Sequence, residues 1–598
     1  MVADGKISRV AVRPEPIDVP VHDFGDLIIS PGIVDAHVHI NEPERPGTTP
    51  WEGFKSATSA AAAGGVTTIL DMPLNSIPVT TTTEALRQKR AAAQSKCHID
   101  VGFYGGLVPE NASEIAPLTK AGVLGIKAFM CDSGLDEFGG AGEDNLRNAL
   151  SVLKKSGVPL LAHAEIVSPN MASPQNPCSY DAYKNSRPPE FELTAIKLLT
   201  ELCREFETPI HIVHLATAEA LPLIEQAKHE GLPLTVETCP HYLFFSDDQI
   251  DDGQTSYKCA PPIRDEANRI ALCKAVKSGL IETIGSDHSP CPPELKELET
   301  GNFFKAWGGI AGLQLSLPVV WTLGSKLGWT TSLLAMRLSQ LPAEIFGLGD
   351  RKGKIATGYD ADFVVWDPNA CFDIRGKELF HRHPVTPYEG CELNGVVERT
   401  YVRGSVVFEK GKLMGGPAGK LLRPESDQIA KWLNGLDSEL ATALETCCAA
   451  QDWVTGMVKE GDFENDEAVI DRADAVWNTI GESTDHETVW LEAFSAHPRI
   501  GDINTLREKY SNTKKIASGE QSGVESAEEA TLQRLAIAND EYFEKFGFIF
   551  IVCATGKSAK EMLAILEDRL LNDRDTELKI AAQEQLKITK IRLRKLGS

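Results

Sequence analysis

Two histidines separated by one residue, His37 and His39 in DAHVHI, project from the same face of an extended segment and can grip one cation together. Such a pair arises readily by chance in a chain with 14 histidines. Here it recurs with Lys127 in GIKAFM, His163 in HAE, His214 in HIVHLA and Asp287 in SDHSP, each closing a short apolar run. Imidazole nitrogens plus a carboxylate form the donor set favoured by zinc and its neighbours, and that many convergent donors do not read as satisfied core polar groups. Lys127 is the odd member, because an ammonium aimed at a cationic cluster would be expelled. Two readings of it stand side by side: carbamylation by carbon dioxide, giving an anionic oxygen ligand that bridges two metals, or a salt bridge to Asp71 or Glu165. His211, three residues before His214, reads as an ordinary strand histidine.

The elements that must hold these groups follow from the pattern around them. From Leu27 to about Pro290, eight apolar, β-branched runs alternate with helical stretches: LIISPGIVDAHVHI, GVTTILDMP, DVGFYGGL, GVLGIKAFM, GVPLLAHAE, PIHIVHLA, LTVETCPHYL and LIETIGSDHSP. Continuous apolar strands separated by helices mean a parallel sheet covered on both faces, and eight units favour a closed (β/α)8 barrel. Polar residues sit at the C-terminal ends of the runs, among them Asp71 and His241 besides those above, and those ends share one mouth. The fold class expected is α/β: a barrel over 27–344 with a small β-sandwich subdomain from 1–26 and 345–417, where GKIATGYDADFVVWD and NGVVERTYVRGSVVFEKGKLM read as strands with glycine turns. The GKISRVAV segment is expected to complete that subdomain, whose first strand is apparently lacking. Residues 418–426 read as a linker. Residues 427–598 show helical periodicity broken by one apolar run, FIFIVCA, and form a separate, mostly α-helical domain.

Composition sets the surroundings of this chemistry. The 598 residues are 42% hydrophobic and 24% charged, with material for large cores, and Lys+Arg 60 against Asp+Glu 85 gives a net charge of −25. That field repels phosphodiesters, so neither nucleic acid nor membrane is an expected partner. Thirteen cysteines without CxxC spacing argue for free thiols in a reducing compartment, and the absence of an apolar leader or spanning run points to the cytoplasm, with the peroxisome kept open.

DAHVHINEP, GIKAFM, HAE, HIVHLA, ETCPHYL, KCAPPIR and GSDHSPC, in that order, resemble the cyclic amidohydrolases, which include dihydroorotase, hydantoinase or dihydropyrimidinase, and allantoinase. The similarity spans roughly Gly5 to Pro417. It implies two divalent metal ions, zinc by expectation: His37 and His39 on one, His163 and His214 on the other, carbamylated Lys127 bridging both, and Asp287 completing the first shell and shuttling the proton. Cys259, Ser289 and the GGIAGLQ loop from Gly308 resemble substrate-contacting positions. KCAPPIR with SDHSPC looks most like allantoinase, and Arg45 does not fall where a dihydroorotase carries its arginine. Within the same resemblance a hydantoinase, or a scaffold that has lost catalysis, are the alternatives. Barrels of this type imply a homo-oligomer.

In the last third, SAHPRIGD followed by SGEQSG resembles 2-oxo-4-hydroxy-4-carboxy-5-ureidoimidazoline (OHCU) decarboxylase. The resemblance implies His497 as the acid–base group, Glu520 as a second catalytic residue, and Pro498, Ser518 and Gln521 in contact with substrate. No organic cofactor is implied, since the substrate's own conjugated system takes up the carbanion. ATGKSA, with Lys557, is a further candidate anchor for a substrate oxygen. Together the two resemblances imply consecutive steps of purine breakdown.

Overall fold

A computed structural model describes residues 1–11, 20–167, 175–423, 428–436, 439–459, 461–463, 466–497, 523–553, 559–593 and 596. The chain divides into two compact units, Met1–Glu425 and Ser426–Ser598.

The first unit is built on eight parallel strands: β1 (Ile33–Val38), β2 (Val66–Asp71), β3 in two segments (Asp100–Phe103 and Gly105–Leu107), β4 (Ile126–Phe129), β5 (Leu160–His163), β6 (Ile210–Ile212), β7 (Leu234–Thr238) and β8 (Thr283–Ile284). Each pairs with the next in parallel. A parallel bridge between Val38 and His288, just past β8, joins last to first and closes the barrel. Nearly every strand residue is buried, as a sheet covered on both sides requires. The covering helices carry one apolar face each. Glu143–Ser156, for example, buries Leu146, Ala149, Leu150 and Leu153 at helical spacing, starts with acidic Glu143 and Asp144, and stops at left-handed Gly157.

The β subdomain is a five-stranded antiparallel sheet in which Phe363–Asp373 lies between Ile28–Pro31 and Glu392–Val402, followed outward by Ser405–Glu409 and Lys412–Leu413. The N-terminal strand that completes it is thus Ile28–Pro31. The start of GKISRVAV instead forms a hairpin with the residues before it, Lys6–Ile7 pairing with Val2–Ala3, and docks on the subdomain through the Ile7 amide to the Tyr359 carbonyl and the Gly358 amide to the Ile7 carbonyl, both 2.8 Å, and a bridge from Lys6 to Asp360. The physical reason is chain continuity. Ile28–Pro31 runs almost directly into β1 and so lies along Phe363–Trp366, whereas Lys6–Ile7 is already paired with Val2–Ala3. Barrel and subdomain share one hydrophobic core, running from Ile33 and Phe54 to Val364, Trp366 and Phe408.

Residues 418–423, expected as linker, are docked on the barrel. Leu421 bridges Val101, the Val101 amide donates to the Lys420 carbonyl, and Leu422 is buried. An apolar Leu-Leu pair beside an open backbone edge outweighs the flexibility suggested by the flanking Gly and Pro.

The second unit is helical, with Gln451–Lys459, Asp466–Gly481, His486–Ser495, Gly523–Phe546, Ala559–Arg569 and Arg574–Leu593 as its main elements. It closes a core of its own around Trp453, Trp477, Tyr542 and Leu566. FIFIVCA is no strand: Phe548, Phe550, Ile551 and Val552 pack into that core as irregular chain. The Ile551 carbonyl is held at 2.8 Å by Arg569, whose charge is in turn matched by buried Glu577.

Candidate metal centre and active site

The C-terminal ends of the barrel strands converge on one cavity of about 730 Å³, lined by His37, His39, Lys127, His163, His214 and Asp287 together with loop residues. β1 places His37 and His39 side by side, with ring centroids 5.5 Å apart. Asp287, just beyond β8, reaches both: its Oδ1 lies 3.1 Å from His37 Nε2 and 3.4 Å from His39 Nε2. His163 ends β5 and lies 3.0 Å from His214 through Nδ1 and Nε2, and the His37 and His214 rings are 5.4 Å apart. His214 and Asp287 both adopt the left-handed region, φ 41° and 45°, which a side chain with a Cβ enters at a cost. The cost falls where each chain must turn sharply off its strand so that the side chain faces the mouth.

Charge at this mouth is set by burial and pairing. Burial opposes a charged His37, but the carboxylates of Asp287 and Glu237 outweigh it and bring its pKa up to about 9. His39, desolvated and with less carboxylate help, is brought down to about 4. Burial lowers Lys127 to about 8. Its Nζ is fully buried, has no hydrogen-bond partner, and stands 5.0 Å from the centre of the Phe129 ring. The two carboxylates expected to pair with it are taken: Asp71 by Lys89 at 2.6 Å, and Glu165 by Arg187 and His163. His37 Nε2 is likewise buried without a hydrogen bond. An array of imidazoles, one carboxylate and one unpaired amine around a cavity fits cations as ligands better than it fits a packed core, so the residues present are suited to a metal pair.

A family model described as "Amidohydrolase family" matches residues 28–407, and one described as "OHCU decarboxylase" matches 436–594. The chain belongs to the amidohydrolase family. Among its relatives, the probable allantoinase of Oryza sativa subsp. japonica is 45% identical over 69% of this chain and 84% of its own, and the allantoinase of Saccharomyces cerevisiae is 45% identical over 64% and 82%. The allantoinase of Streptomyces avermitilis is 44% identical over 71% and 94%. Among solved structures, the L-hydantoinase (dihydropyrimidinase) from Arthrobacter aurescens superposes with a TM-score of 0.66 at 30% identity, covering 71% of this chain and 95% of its own. Amidohydrolases of this family depend on metal, and the His/Asp cluster here is the matching candidate.

Around the amidohydrolase centre lies a shell of supporting residues that sequence reasoning missed. Glu237 on β7 accepts from His37 Nδ1 at 2.6 Å, which fixes the tautomer and turns Nε2 to the mouth. Gly285 makes room for that contact: a Cβ there would lie 2.4 Å from Glu237 Oε2. Glu165 holds His163 Nε2 at 2.7 Å and is itself clamped by Arg187. Asn75, left-handed at φ 70°, contacts His39 Nδ1 at 3.3 Å. His211 bonds Thr235 at 2.8 Å and has an edge-on contact with Phe346, as an ordinary strand histidine would.

Of the expected substrate positions, Ser289 and Gly308 line the cavity. Cys259 does not, and here the expectation is corrected. Its side chain is buried in packing while its carbonyl accepts from the Tyr183 hydroxyl at 2.7 Å, so the neighbours on either side, Lys258 and Ala260, face the mouth. Alternation along extended backbone puts adjacent residues on opposite sides. Arg45 lines the cavity too, paired with Glu137 through two 3.0 Å bonds.

In the helical unit His497 follows His486–Ser495 and donates its amide to the Phe494 carbonyl. Its Nε2 is buried without a hydrogen bond, and burial, then the nearby Arg592, lower its pKa below the ordinary 6.5. Neutral imidazole at pH 7 is therefore its resting form. Pro498, Ser518, Glu520, Gln521 and Lys557 lie outside the described residues.

Proposed function

We propose that this chain performs two consecutive steps of ureide metabolism: the helical unit decarboxylates OHCU to (S)-allantoin, and the barrel hydrolyses allantoin to allantoate. The observation that carries this reading is the joining, in one chain, of an amidohydrolase unit about 45% identical to allantoinases with a second unit matching the family whose reaction would supply allantoin.

In the barrel, His37, His39 and Asp287 would hold one divalent cation and His163 and His214 a second, both zinc in this reading, with Lys127 between them as a carbamate. Bound there, the cations supply Lewis acidity toward the scissile ring carbonyl and the attacking water. The remaining work belongs to the chain. Lys127, unpaired and desolvated, is the amine that adds to carbon dioxide with loss of a proton. Asp287 takes the proton of the attacking water and delivers it to the ring nitrogen as the amide C–N bond breaks. Glu237 and Glu165 keep His37 and His163 turned inward. Ser289 and the backbone at Ala260 and Gly308 face the ureide edge.

In the helical unit, His497 would serve as acid and base, with Glu520 as a second catalytic group and Pro498, Ser518 and Gln521 touching substrate. No organic cofactor is required. A homo-oligomeric state and a cytoplasmic location belong to the same reading; light scattering and cell fractionation test them. Among the described residues no helix is long and apolar enough to cross a membrane.

The deciding assay compares ring opening of (S)-allantoin, dihydrouracil, hydantoin and dihydroorotate by the metal-loaded chain. Allantoin should be the preferred substrate; preference for hydantoin or dihydrouracil would establish the hydantoinase alternative, which the structural likeness to an L-hydantoinase keeps in view.

A further inference from the structure

Lys296 closes a short 3-10 turn, Pro293–Lys296, in the loop that follows β8. It is 3% exposed, yet it forms no ion pair among the described residues. The acidic groups nearest it are the thiols of Cys291 and Cys259, which burial pushes up to about 11 and about 12, rather than carboxylates. Its ammonium donates instead to three backbone carbonyls: Lys258 at 2.9 Å, Trp307 at 3.0 Å, and Gly309. An ammonium has three donors and no acceptor, so the group is fully satisfied by these three oxygens alone. Burying a cation without a counter-ion is costly, and a chain that only needed packing here would carry a leucine or methionine.

The three carbonyls belong to the two segments that form one wall of the cavity. Lys258, Ala260, Trp307, Gly308 and Ser289 all line it. The segments are joined directly by the Gly309 amide donating to the Lys258 carbonyl at 3.0 Å, and Ser289 is tied in through its amide to Ile310 at 3.0 Å. Ser289 and the Trp307–Gly309 segment approach so closely that a Cβ on Gly309 would lie 2.3 Å from the Ser289 carbonyl. Neither segment is a strand or helix at these positions, so no ladder fixes their spacing.

We infer that Lys296 is the positioning residue of the substrate wall: its ammonium pins the Lys258–Ala260 and Trp307–Gly309 backbones at the spacing that presents Ala260, Gly308 and Ser289 to the ureide edge of the substrate. The inference rests on the ring-opening activity proposed above. Lys296 touches neither the metal ligands nor, in this role, the substrate, so its loss acts on substrate binding more than on the chemical step.

The test uses the full-length, metal-loaded chain. Lys296→Met keeps the length of the side chain and removes its donors. KM for allantoin should rise at least tenfold while kcat falls less than threefold and metal content per chain, read by mass spectrometry, stays at the wild-type value. Lys296→Arg, which restores donors to the same carbonyls, should recover most of the KM. Gly309→Ala drives the Trp307–Gly309 segment off Ser289, displacing the same wall with the lysine retained, and should reproduce the KM-dominated defect. An unchanged KM in Lys296→Met, or equal losses in kcat and metal content, overturns the inference. If Lys296→Met does not fold, an Arg variant that folds, binds metal and shows wild-type KM upholds it, and an Arg variant with the full KM defect overturns it. Should the wild-type chain open hydantoin in preference to allantoin, the substrate assignment fails, and the same comparison, run with hydantoin, still decides the role of Lys296.

Discussion

Two of the histidines at the barrel mouth are aimed by carboxylates that have no chemical task of their own. His37 is aimed by Glu237, His163 by Glu165, and Glu165 by Arg187. Replacing Glu237 with Gln keeps the shape and loses the anionic acceptor, so metal affinity should drop about 10–100-fold with the fold intact, as titration with a competing chelator would show. Asp287→Asn removes the proposed proton carrier, and kcat for ring opening should fall by about 10²–10⁴-fold. Because the histidines must shed protons to bind a cation, and His37 is held up at about 9 by its carboxylates, loading should weaken as pH is lowered through neutrality, measured as metal retained after dialysis. The residues that end strands in polar groups were legible in the sequence because an apolar run closing on a histidine or lysine is rare. Their supports were not: Glu237 is 200 positions from His37, and nothing in ETCPHYL distinguishes it from a core glutamate. Cys259 was misplaced for a related reason, since a motif gives the position of a residue and not the side of the backbone it faces.

Among elements, the join between barrel and β subdomain depends on one buried lysine. Lys352 lies 2.6 Å from Asp100 at the start of β3, 2.9 Å from Asp360 and 2.6 Å from Asp362 at the edge of the subdomain, and Arg403 also reaches Asp100. This cluster sits at the N-terminal end of β3, opposite the mouth, where barrels keep groups that serve stability. Burial alone would raise Asp360, but Lys352 and Lys6 hold its carboxyl down at about 2. Its folded value is thus below the unfolded 3.8, so its contribution is present above pH 3.8 and is lost as pH falls from there toward 2. Lys352→Met should cost about 3–5 kcal/mol at pH 7, because Asp362 is left buried without its cation and Asp100 and Asp360 each keep only one, Arg403 and Lys6. In that variant the sign reverses: orphaned carboxyls take up protons more readily when folded, so the deficit should shrink on acidification, as urea titrations between pH 7 and 4 would record. The eight barrel strands and the helical character of the final third could be read from periodicity. The partner of the subdomain sheet could not, because GKISRVAV and LIIS both carry apolar residues that suit a strand, and only the pairing of Ile28–Pro31 with Phe363–Trp366 separates them.

For the whole molecule, the hydrophobic clusters of the barrel unit have no member in common with the one around Trp453, Trp477 and Tyr542. Units with separate cores unfold as separate transitions unless something couples them, so calorimetry should resolve two, and only the one from the barrel should shift upward on adding zinc with bicarbonate. The same separation predicts reciprocal defects. His39→Ala should abolish ring opening and leave decarboxylation at wild-type rate, and His497→Ala should do the reverse, followed by time courses of both products from one reaction. Each unit closes on its own apolar interior, so joining them in one chain has a consequence beyond either fold. What it fixes is number: every copy made carries one site of each kind, so cells expressing it cannot vary the ratio of the two catalysts, and the level of the shared intermediate is left to the relative turnover written into the two sites themselves.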